Sequence, residues 1–210
     1  MKSLEELIVS MEQNGFLKNP LLKRAFFAVD RINFVLPRYR NQSYEDRPLP
    51  IDKGQTISQP LTVAFMLELL DPLPGHKILD VGSGSGWTSA LLAEIVTCTG
   101  QVYAIERIKS IKEFGENNTK KRGYTNIFFL EGNGALGWPD YAPFDRILVN
   151  AAAQDVPNPL KDQLKQGGKL VIPLKDTTHT SICLLEKKAE NEFKEQLFPG
   201  FSFVPFIDET

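Results

Sequence analysis

Three glycines at alternate positions, in the segment ILDVGSGSGW, are the residues most clearly suited to chemistry. Gly82, Gly84 and Gly86 follow a short apolar segment that contains Asp80. Glycines between a strand and a helix let a ligand approach the backbone, because no side chain holds the ligand away. Glu106 ends the next apolar segment, where a carboxylate can accept hydrogen bonds from both hydroxyls of a ribose. This pattern predicts a nucleoside-binding loop.

Two alternatives to that interpretation stay open. The dinucleotide fingerprint G-x-G-x-x-G is not met, because Trp87 stands where its third glycine would be. Binding of NAD is therefore a minority alternative. The other alternative is a tight strand-to-helix turn without any ligand.

A second candidate is the uncharged turn GQTISQP at residues 54–60, which precedes an apolar segment beginning at Pro60. Its hydroxyls and amides can form neutral hydrogen bonds without placing a fixed charge beside a ligand. Ser58 could instead cap the helix that starts at Pro60, and the two roles do not exclude each other.

The elements that must position these residues alternate between strand and helix. Periodicity predicts strands at 77–81, 101–106, 126–130, 144–150 and 168–174, and helices at 87–96, 108–122 and 158–164. Such alternation implies parallel strands with right-handed crossovers. Two further strand-like segments near the C-terminus, separated by Ala-Glu-Asn, predict an antiparallel hairpin at the sheet edge. The predicted fold class is α/β, with a mostly parallel seven-stranded sheet.

Helices are predicted ahead of this sheet. Ser3 and Glu6 fit a capping box, and Asn19-Pro20 fits the N-cap and first turn of a second helix. We interpret residues 37–57, rich in proline and charge, as an ordered loop before a helix that runs from Pro60 to about Leu70. The chain is expected to be one domain, with N-terminal helices and loop (1–57), an α/β core (58–175) and C-terminal strands (176–210).

Composition argues against several classes of protein. The net charge of −2 is not that of a typical nucleic-acid-binding domain. No apolar run approaches the length of a membrane span, and the N-terminus lacks the apolar core of a signal peptide, so a cytoplasmic location is expected. Cys98 and Cys183 are isolated and are expected to be reduced thiols. With only two histidines, no metal site is expected.

Asp80, the three glycines and Glu106 together resemble the nucleoside-binding half of Rossmann-like methyltransferases, which use S-adenosyl-L-methionine. More specifically, the chain resembles the protein-L-isoaspartate O-methyltransferase family over nearly its whole length. The glycine loop is shared by many methyltransferases, whereas YEDRPLPI followed by GQTISQP is specific to this family. The segments that carry the resemblance are NFVLPRYR (33–40), YEDRPLPI (44–51), GQTISQP (54–60), LDVGSGSG (79–86), APFDRILVNAAAQDVP (142–157), LKQGGKLVIPL (164–174) and FSFVPF (201–206).

The resemblance implies an activity: methylation of the α-carboxyl group of L-isoaspartyl residues in damaged proteins and peptides. The ester then cyclises without the enzyme to a succinimide, whose hydrolysis partly restores aspartate. An acceptor carboxylate with a pKa near ~4 is ionised at neutral pH, so the enzyme needs alignment rather than a general base. A monomer is expected, with isoaspartyl proteins and peptides as its partners and no nucleic acid or membrane.

The resemblance also implies the site residues, with Ser58 in the active-site role. The implied cofactor-binding residues are Gln55, Thr56, Ile57, Ser58, Asp80, Gly82, Ser83, Gly84, Gly86, Glu106, Arg107, Asn133, Gly134 and Ala135. Asn133 departs from the family pattern, because many members have an acidic residue there, and modestly weaker cofactor binding is expected. The alternatives are a diverged methyltransferase for another peptide or small-molecule carboxylate, and a cofactor-binding adaptor without turnover.

Two further features have competing interpretations. Asp46 and Arg47 could hold a peptide carboxylate, but an ion pair within the loop, between Arg47 and an acidic neighbour, is favoured. Trp87 is interpreted as a packing residue, with a position bordering the cofactor as the alternative.

Overall fold

The computed structural model describes residues 3–177 and 179–207. The helices are α1 (Leu4–Gln13), α2 (Pro20–Ala28), α3 (Pro60–Leu70), α4 (Trp87–Val96), α5 (Lys109–Lys120) and α6 (Asn158–Asp162). The strands are β1 (Leu49–Pro50), β2 (Thr56–Ile57), β3 (Lys77–Val81), β4 (Gln101–Glu106), β5 (Ile127–Glu131), β6 (Phe144–Val149), β7 (Leu164–Lys175), β8 (Thr180–Ala189) and β9 (Glu192–Phe201). Short 3-10 helices span Arg31–Asn33, Pro37–Gln42, Gly134–Leu136 and Pro139–Tyr141.

The main sheet has the strand order β5-β4-β3-β6-β7-β8-β9. Strands β3 to β7 pair in parallel, and β8 and β9 add an antiparallel hairpin. The predicted fold class is therefore confirmed. The chain leaves β3 toward one edge of the sheet and leaves β6 toward the other. A crevice is expected at the carboxyl ends of these two neighbouring strands, where open α/β sheets bind ligands.

The structure corrects the prediction of a plain loop at 37–57. Pro37–Gln42 forms a 3-10 helix, and β1 pairs with β2 in a small antiparallel ribbon. Proline and charge obscured these elements, because a two-residue ribbon outside the main sheet tolerates residues that a long strand would not. At the other end of the core, β7 begins at Leu164 rather than at 168, and α6 stops at Asp162. An irregular register against β6 lets the glycine-containing segment join the strand.

Apolar side chains on each face of the sheet form a separate core. One core joins Leu7, Phe26 and Leu91 to inward side chains such as Ile78. The other lies on the opposite face, around residues such as Ile147. The first of these cores therefore packs the N-terminal helices against the sheet. This packing keeps the segments that follow the two helices close to the carboxyl ends of the strands.

The predicted helix starts are confirmed. The Ser3 hydroxyl accepts a hydrogen bond from Glu6 N–H at 3.1 Å, and the Glu6 carboxylate accepts one from Ser3 N–H at 2.7 Å. The Asn19 side chain accepts from Leu21 N–H at 2.9 Å, with Pro20 in the first turn. In the part of the chain that the structure describes, no helix combines the length and the apolar character that crossing a bilayer would require.

Candidate active site

A cavity of ≈ 330 Å³ lies at the carboxyl ends of β3 and β4. It is bounded by the glycine loop, the turn around Ser58, the ends of β4 and β6, and the segment 202–207. Among the described residues that line it, only Glu106 and Arg107 carry a charge. The volume falls within the range of small-molecule sites, roughly 300–1,000 Å³.

The glycine loop is held against β4 by its own backbone. Gly82 and Ser83 N–H groups both donate to the Ile105 carbonyl, at 2.8 and 3.1 Å. Gly82 has φ 75° and Gly84 has φ 53°, a left-handed conformation that favours glycine. The result is a bare stretch of main chain on the cavity wall.

Glu106 closes this part of the site. One carboxylate oxygen accepts from Gly84 N–H at 3.2 Å and the other from Ile108 N–H at 3.0 Å. A carboxylate offers about four acceptor positions, so both oxygens keep capacity for ligand hydroxyls. Glu106 therefore has the capacity to accept from a diol, and its role as the ribose acceptor stays a prediction.

Two further features fit a nucleoside-like ligand. The Ser83 hydroxyl oxygen is buried and has no hydrogen-bond partner in 3–177 or 179–207, although Ser83 lines the cavity. Buried polar atoms are normally paired, so a ligand group would complete this one. Gly134 also lines the cavity. A Cβ there would lie 2.3 Å from Val81 Cγ1, so this part of the wall carries no side chain. The residues present thus fit an adenosyl cofactor.

Most of the predicted cofactor residues meet at this cavity, but four do not line it. Those that line it are Gln55, Thr56, Ile57, Ser58, Gly82, Ser83, Gly84, Glu106, Arg107 and Gly134. Asp80, Gly86, Asn133 and Ala135 lie outside the lining. Whether each residue contacts the cofactor stays a prediction.

Asp80 lies behind the wall rather than in it. Its side chain is fully buried and accepts hydrogen bonds from the Ser89 hydroxyl at 2.5 Å and from Asn150 Nδ2 at 2.7 Å. Burial raises the pKa of Asp80 to about 6, against the lowering effect of those two bonds. Asn150 itself lines the cavity, so Asp80 acts on the site through that side chain.

Gly86, Asn133 and Ala135, the other three residues outside the lining, have structural roles. A Cβ on Gly86 would lie 2.7 Å from the Gly115 carbonyl oxygen, so this glycine permits α4 and α5 to approach. The Asn133 side chain accepts from Ala135 N–H at 2.9 Å and caps the short helix at 134–136.

Trp87 is a packing residue. It is buried, donates from Nε1 to the Val29 carbonyl at 3.1 Å and meets Phe26 edge-on at 5.7 Å. It does not line the cavity, which favours the packing interpretation over the cofactor one.

The prediction that Ser58 caps α3 is wrong. Gln59 occupies the N-cap position and makes no side-chain capping bond. Instead, Asp46 reaches over from the preceding loop: one oxygen accepts from Leu61 N–H at 2.9 Å and the other from Gln59 Nε2 at 3.0 Å. A carboxylate at this end also interacts favourably with the helix dipole. Ser58 therefore does not cap α3.

Ser58 lines the cavity. Its carbonyl accepts from Arg31 Nη2 at 3.0 Å, whereas neither its N–H nor its hydroxyl donates to another residue of the described ranges. Two adjacent donors on a neutral wall form a small site for an anion.

The favoured interpretation of the neighbouring loop is confirmed. Arg47 forms an ion pair with Glu45 at 2.6 Å and also donates to the Gln42 side chain. Both partners of the pair are about half exposed, so its contribution to stability is at most about 1 kcal/mol. Asp46 is engaged with the start of α3.

The segment 202–207 was missed by sequence reasoning as part of the site. Ala152 N–H donates to the Val204 carbonyl at 2.9 Å, and Phe206 N–H donates to the Ala152 carbonyl at 2.8 Å. Phe201, just before it, stacks on Phe65 of α3 at 5.3 Å. These contacts bring onto the cavity a stretch that carried part of the family resemblance, as FSFVPF (201–206), but was assigned no role in the site.

The sheet order, the bare glycine loop and the Glu106 carboxylate at the switch point are those of a Rossmann-like methyltransferase domain. The family model for protein-L-isoaspartate(D-aspartate) O-methyltransferase matches residues 2–210. The chain belongs to this family.

Individual relatives agree with that assignment. A protein-L-isoaspartate O-methyltransferase of Methanopyrus kandleri is 44% identical over 99% of this chain and 92% of its own length. One from Pyrococcus horikoshii is 44% identical over 95% of this chain and 90% of its own. A crystal structure of a Plasmodium falciparum protein of this kind, in complex with S-adenosyl-L-homocysteine, matches with a TM-score of 0.88 at 25% identity and covers 100% of both chains.

Proposed function

We propose that this chain transfers a methyl group from S-adenosyl-L-methionine to the α-carboxylate of L-isoaspartyl residues in proteins and peptides. Family membership supports the reaction and its cofactor. The observation that carries the proposal for the site is the turn at Ser58, whose N–H and hydroxyl are unpaired within 3–177 and 179–207 and border a cavity suited to an adenosyl group.

When bound, S-adenosyl-L-methionine supplies an electrophilic methyl group. Glu106 would accept from the ribose hydroxyls, and the main chain at Gly82–Gly84 would allow close approach of the nucleoside. The Ser83 hydroxyl would gain its missing partner there. Asn150 presents its carbonyl oxygen to this space, because Asp80 and the Val81 carbonyl, both acceptors, take its amide protons.

The acceptor carboxylate needs holding more than it needs activation. It is ionised at neutral pH, with an ordinary pKa near ~4, so no base has to remove a proton. The Ser58 N–H and hydroxyl would bind one carboxylate oxygen and leave the other free to attack. Glu106 and Arg107 are the only charged residues in the described lining, so no second carboxylate there repels the acceptor. The methyl ester then leaves the enzyme and cyclises to a succinimide, with loss of methanol.

A matched pair of peptides tests this function. The peptides differ only in an L-isoaspartyl or an L-aspartyl residue, and radiolabelled S-adenosyl-L-methionine reports transfer. We expect label on the isoaspartyl peptide alone. Equal labelling of both peptides would favour a less selective carboxyl methyltransferase, and cofactor binding without transfer to either would favour an adaptor.

We also propose that the chain acts as a monomer in the cytoplasm, without nucleic acid. The described lining combines segments of the chain from Pro48 to Ile207, which supports a site that a single copy can form. Light scattering during size-exclusion chromatography tests this, and a dimer mass would contradict it.

A further inference from the structure

Arg31 is a fully buried cation with an unusual set of partners. Its side chain is 0% exposed, and it forms no ion pair with any described carboxylate. Its guanidinium donates instead to main-chain carbonyls. Nη1 donates to Ser43 at 2.8 Å and to Glu45 at 3.3 Å, and Nη2 donates to Arg47 and to Ser58, each at 3.0 Å.

The surroundings hold this guanidinium in one place. It lies over the Trp87 ring, 5.4 Å from the ring centroid, a cation–π distance. Burial lowers the pKa of Arg31 to about 9, which leaves the group protonated at neutral pH. A buried charge is costly unless its hydrogen bonds are made. Here the two terminal nitrogens of the rigid fork are matched to carbonyls on two sides, and Nε–H has no partner among the described residues.

The carbonyls that Arg31 gathers come from two segments, one of which lines the cavity. One is the 43–47 loop, from which Asp46 caps α3. The other is the end of β2, where the Ile57 carbonyl, at 3.5 Å, and the Ser58 carbonyl both turn toward Arg31. The Ser58 N–H shares its peptide unit with the Ile57 carbonyl and therefore points away from Arg31, and neither this N–H nor the hydroxyl has a partner in the described ranges.

We propose that Arg31 is a positioning residue for methyl transfer: it holds the Ser58 turn by its carbonyl, from behind the wall, and thereby sets where the acceptor carboxylate is bound. The proposal rests on the function proposed above. Arg31 does not line the cavity, so its effect passes through Ser58 rather than through contact with either substrate. A displacement of about 1 Å at such a turn is enough to lower a rate by ~100-fold.

Arg31→Lys tests the proposal, because lysine keeps the charge but cannot span carbonyls on both sides. The matched control is Arg146→Lys. Arg146 is also buried, at 8% exposure, and donates to the main-chain carbonyls of Asp71 and Asp145 at 3.1 and 2.9 Å, away from the cavity. Activity on the isoaspartyl peptide, affinity for S-adenosyl-L-homocysteine and melting temperature are measured for both variants and for the unaltered protein.

We expect Arg31→Lys to lower kcat by about 10-fold to 100-fold, while the Kd for S-adenosyl-L-homocysteine changes by less than about 3-fold. Arg146→Lys is expected to keep kcat even where it lowers the melting temperature as much. In a Ser58→Ala background, Arg31→Lys should have a much smaller effect on kcat, because both substitutions impair the same positioning of the acceptor carboxylate. Additive effects, or unchanged kcat in folded Arg31→Lys, would overturn the proposal.

Two further comparisons cover the cases in which the unaltered protein is inactive or Arg31→Lys does not fold. If the unaltered protein does not methylate the isoaspartyl peptide, the proposed function fails, whereas a failure confined to Arg31→Lys concerns only this inference. If Arg31→Lys does not fold, Trp87→Leu removes the ring under the guanidinium and is expected to lower kcat by a smaller factor with cofactor affinity kept. A folded Trp87→Leu with unchanged kcat would then count against the inference.

Discussion

Replacing Asp80 by asparagine should make the protein more stable at neutral and alkaline pH. Burial raises the pKa of Asp80 to about 6 from an ordinary 3.8, so its ionisation costs free energy in the folded state. The difference of about 2 pKa units corresponds to about 3 kcal/mol. The Asp80→Asn side chain keeps the same shape and can still accept from Asn150, while the Ser89 hydroxyl can turn to accept.

The sign follows from proton binding. Between about pH 4 and pH 6 the folded protein holds a proton on Asp80 that the unfolded chain has already lost. The stability gained from protonation is therefore full at low pH and is lost as pH rises through about 6. Asp80→Asn lacks this loss, so the variant's advantage should grow by roughly 2–3 kcal/mol from pH 4 to pH 8.

Urea denaturation of both proteins, at half-unit steps of pH, measures this difference directly. Glu116→Gln is a control of opposite sign, because hydrogen bonds from Lys112 and Lys120 lower the pKa of Glu116. That variant should be slightly less stable at neutral pH, by less than about 1 kcal/mol, with the deficit fading in acid. An Asp80→Asn difference that stays constant over the whole range would refute the reasoning.

Substitutions at four other positions test the site and its supports. Ser58→Ala should lower kcat by about 10-fold to 100-fold with unchanged affinity for S-adenosyl-L-homocysteine, and Ser58→Thr, which keeps the hydroxyl, should lose less; steady-state kinetics and calorimetry give both values. Asp46→Ala should cost about 1–2 kcal/mol in thermal denaturation through loss of the α3 cap, and Asp46→Asn clearly less. Glu106→Gln should weaken S-adenosyl-L-homocysteine binding by about 10-fold or more in calorimetry, because a charged acceptor is lost. Gly134→Ala should lower the unfolding free energy by about 1–3 kcal/mol, since its Cβ would lie 2.3 Å from Val81 Cγ1.

Local signals in the sequence were sufficient wherever a structure depends on nearby residues. The Ser3–Glu6 capping box and the Asn19-Pro20 helix start are confirmed by hydrogen bonds three and two residues apart. Alternating periodicity likewise predicted the parallel sheet and its antiparallel hairpin. The glycine loop could be located because its positive φ angles demand one residue type.

Contacts between distant segments could not be predicted in this way. The cap of α3 comes from Asp46, 15 residues before Leu61, whereas the sequence offered only the adjacent Ser58 as a candidate cap. Arg31 stands in an unremarkable stretch, and its partners are main-chain carbonyls that carry no sequence signal. Asp80 was placed with the cofactor by its motif, whereas burial and its bond to Asn150 put it one layer behind.

The central claim is that the Ser58 turn holds an isoaspartyl carboxylate beside a cofactor seated on the glycine loop. A crystal structure with S-adenosyl-L-homocysteine and an isoaspartyl peptide tests it most directly. We predict a ribose on Glu106 and an α-carboxylate oxygen about 3 Å from the Ser58 N–H or hydroxyl. A carboxylate held by other residues, with both Ser58 donors directed elsewhere, would contradict the account.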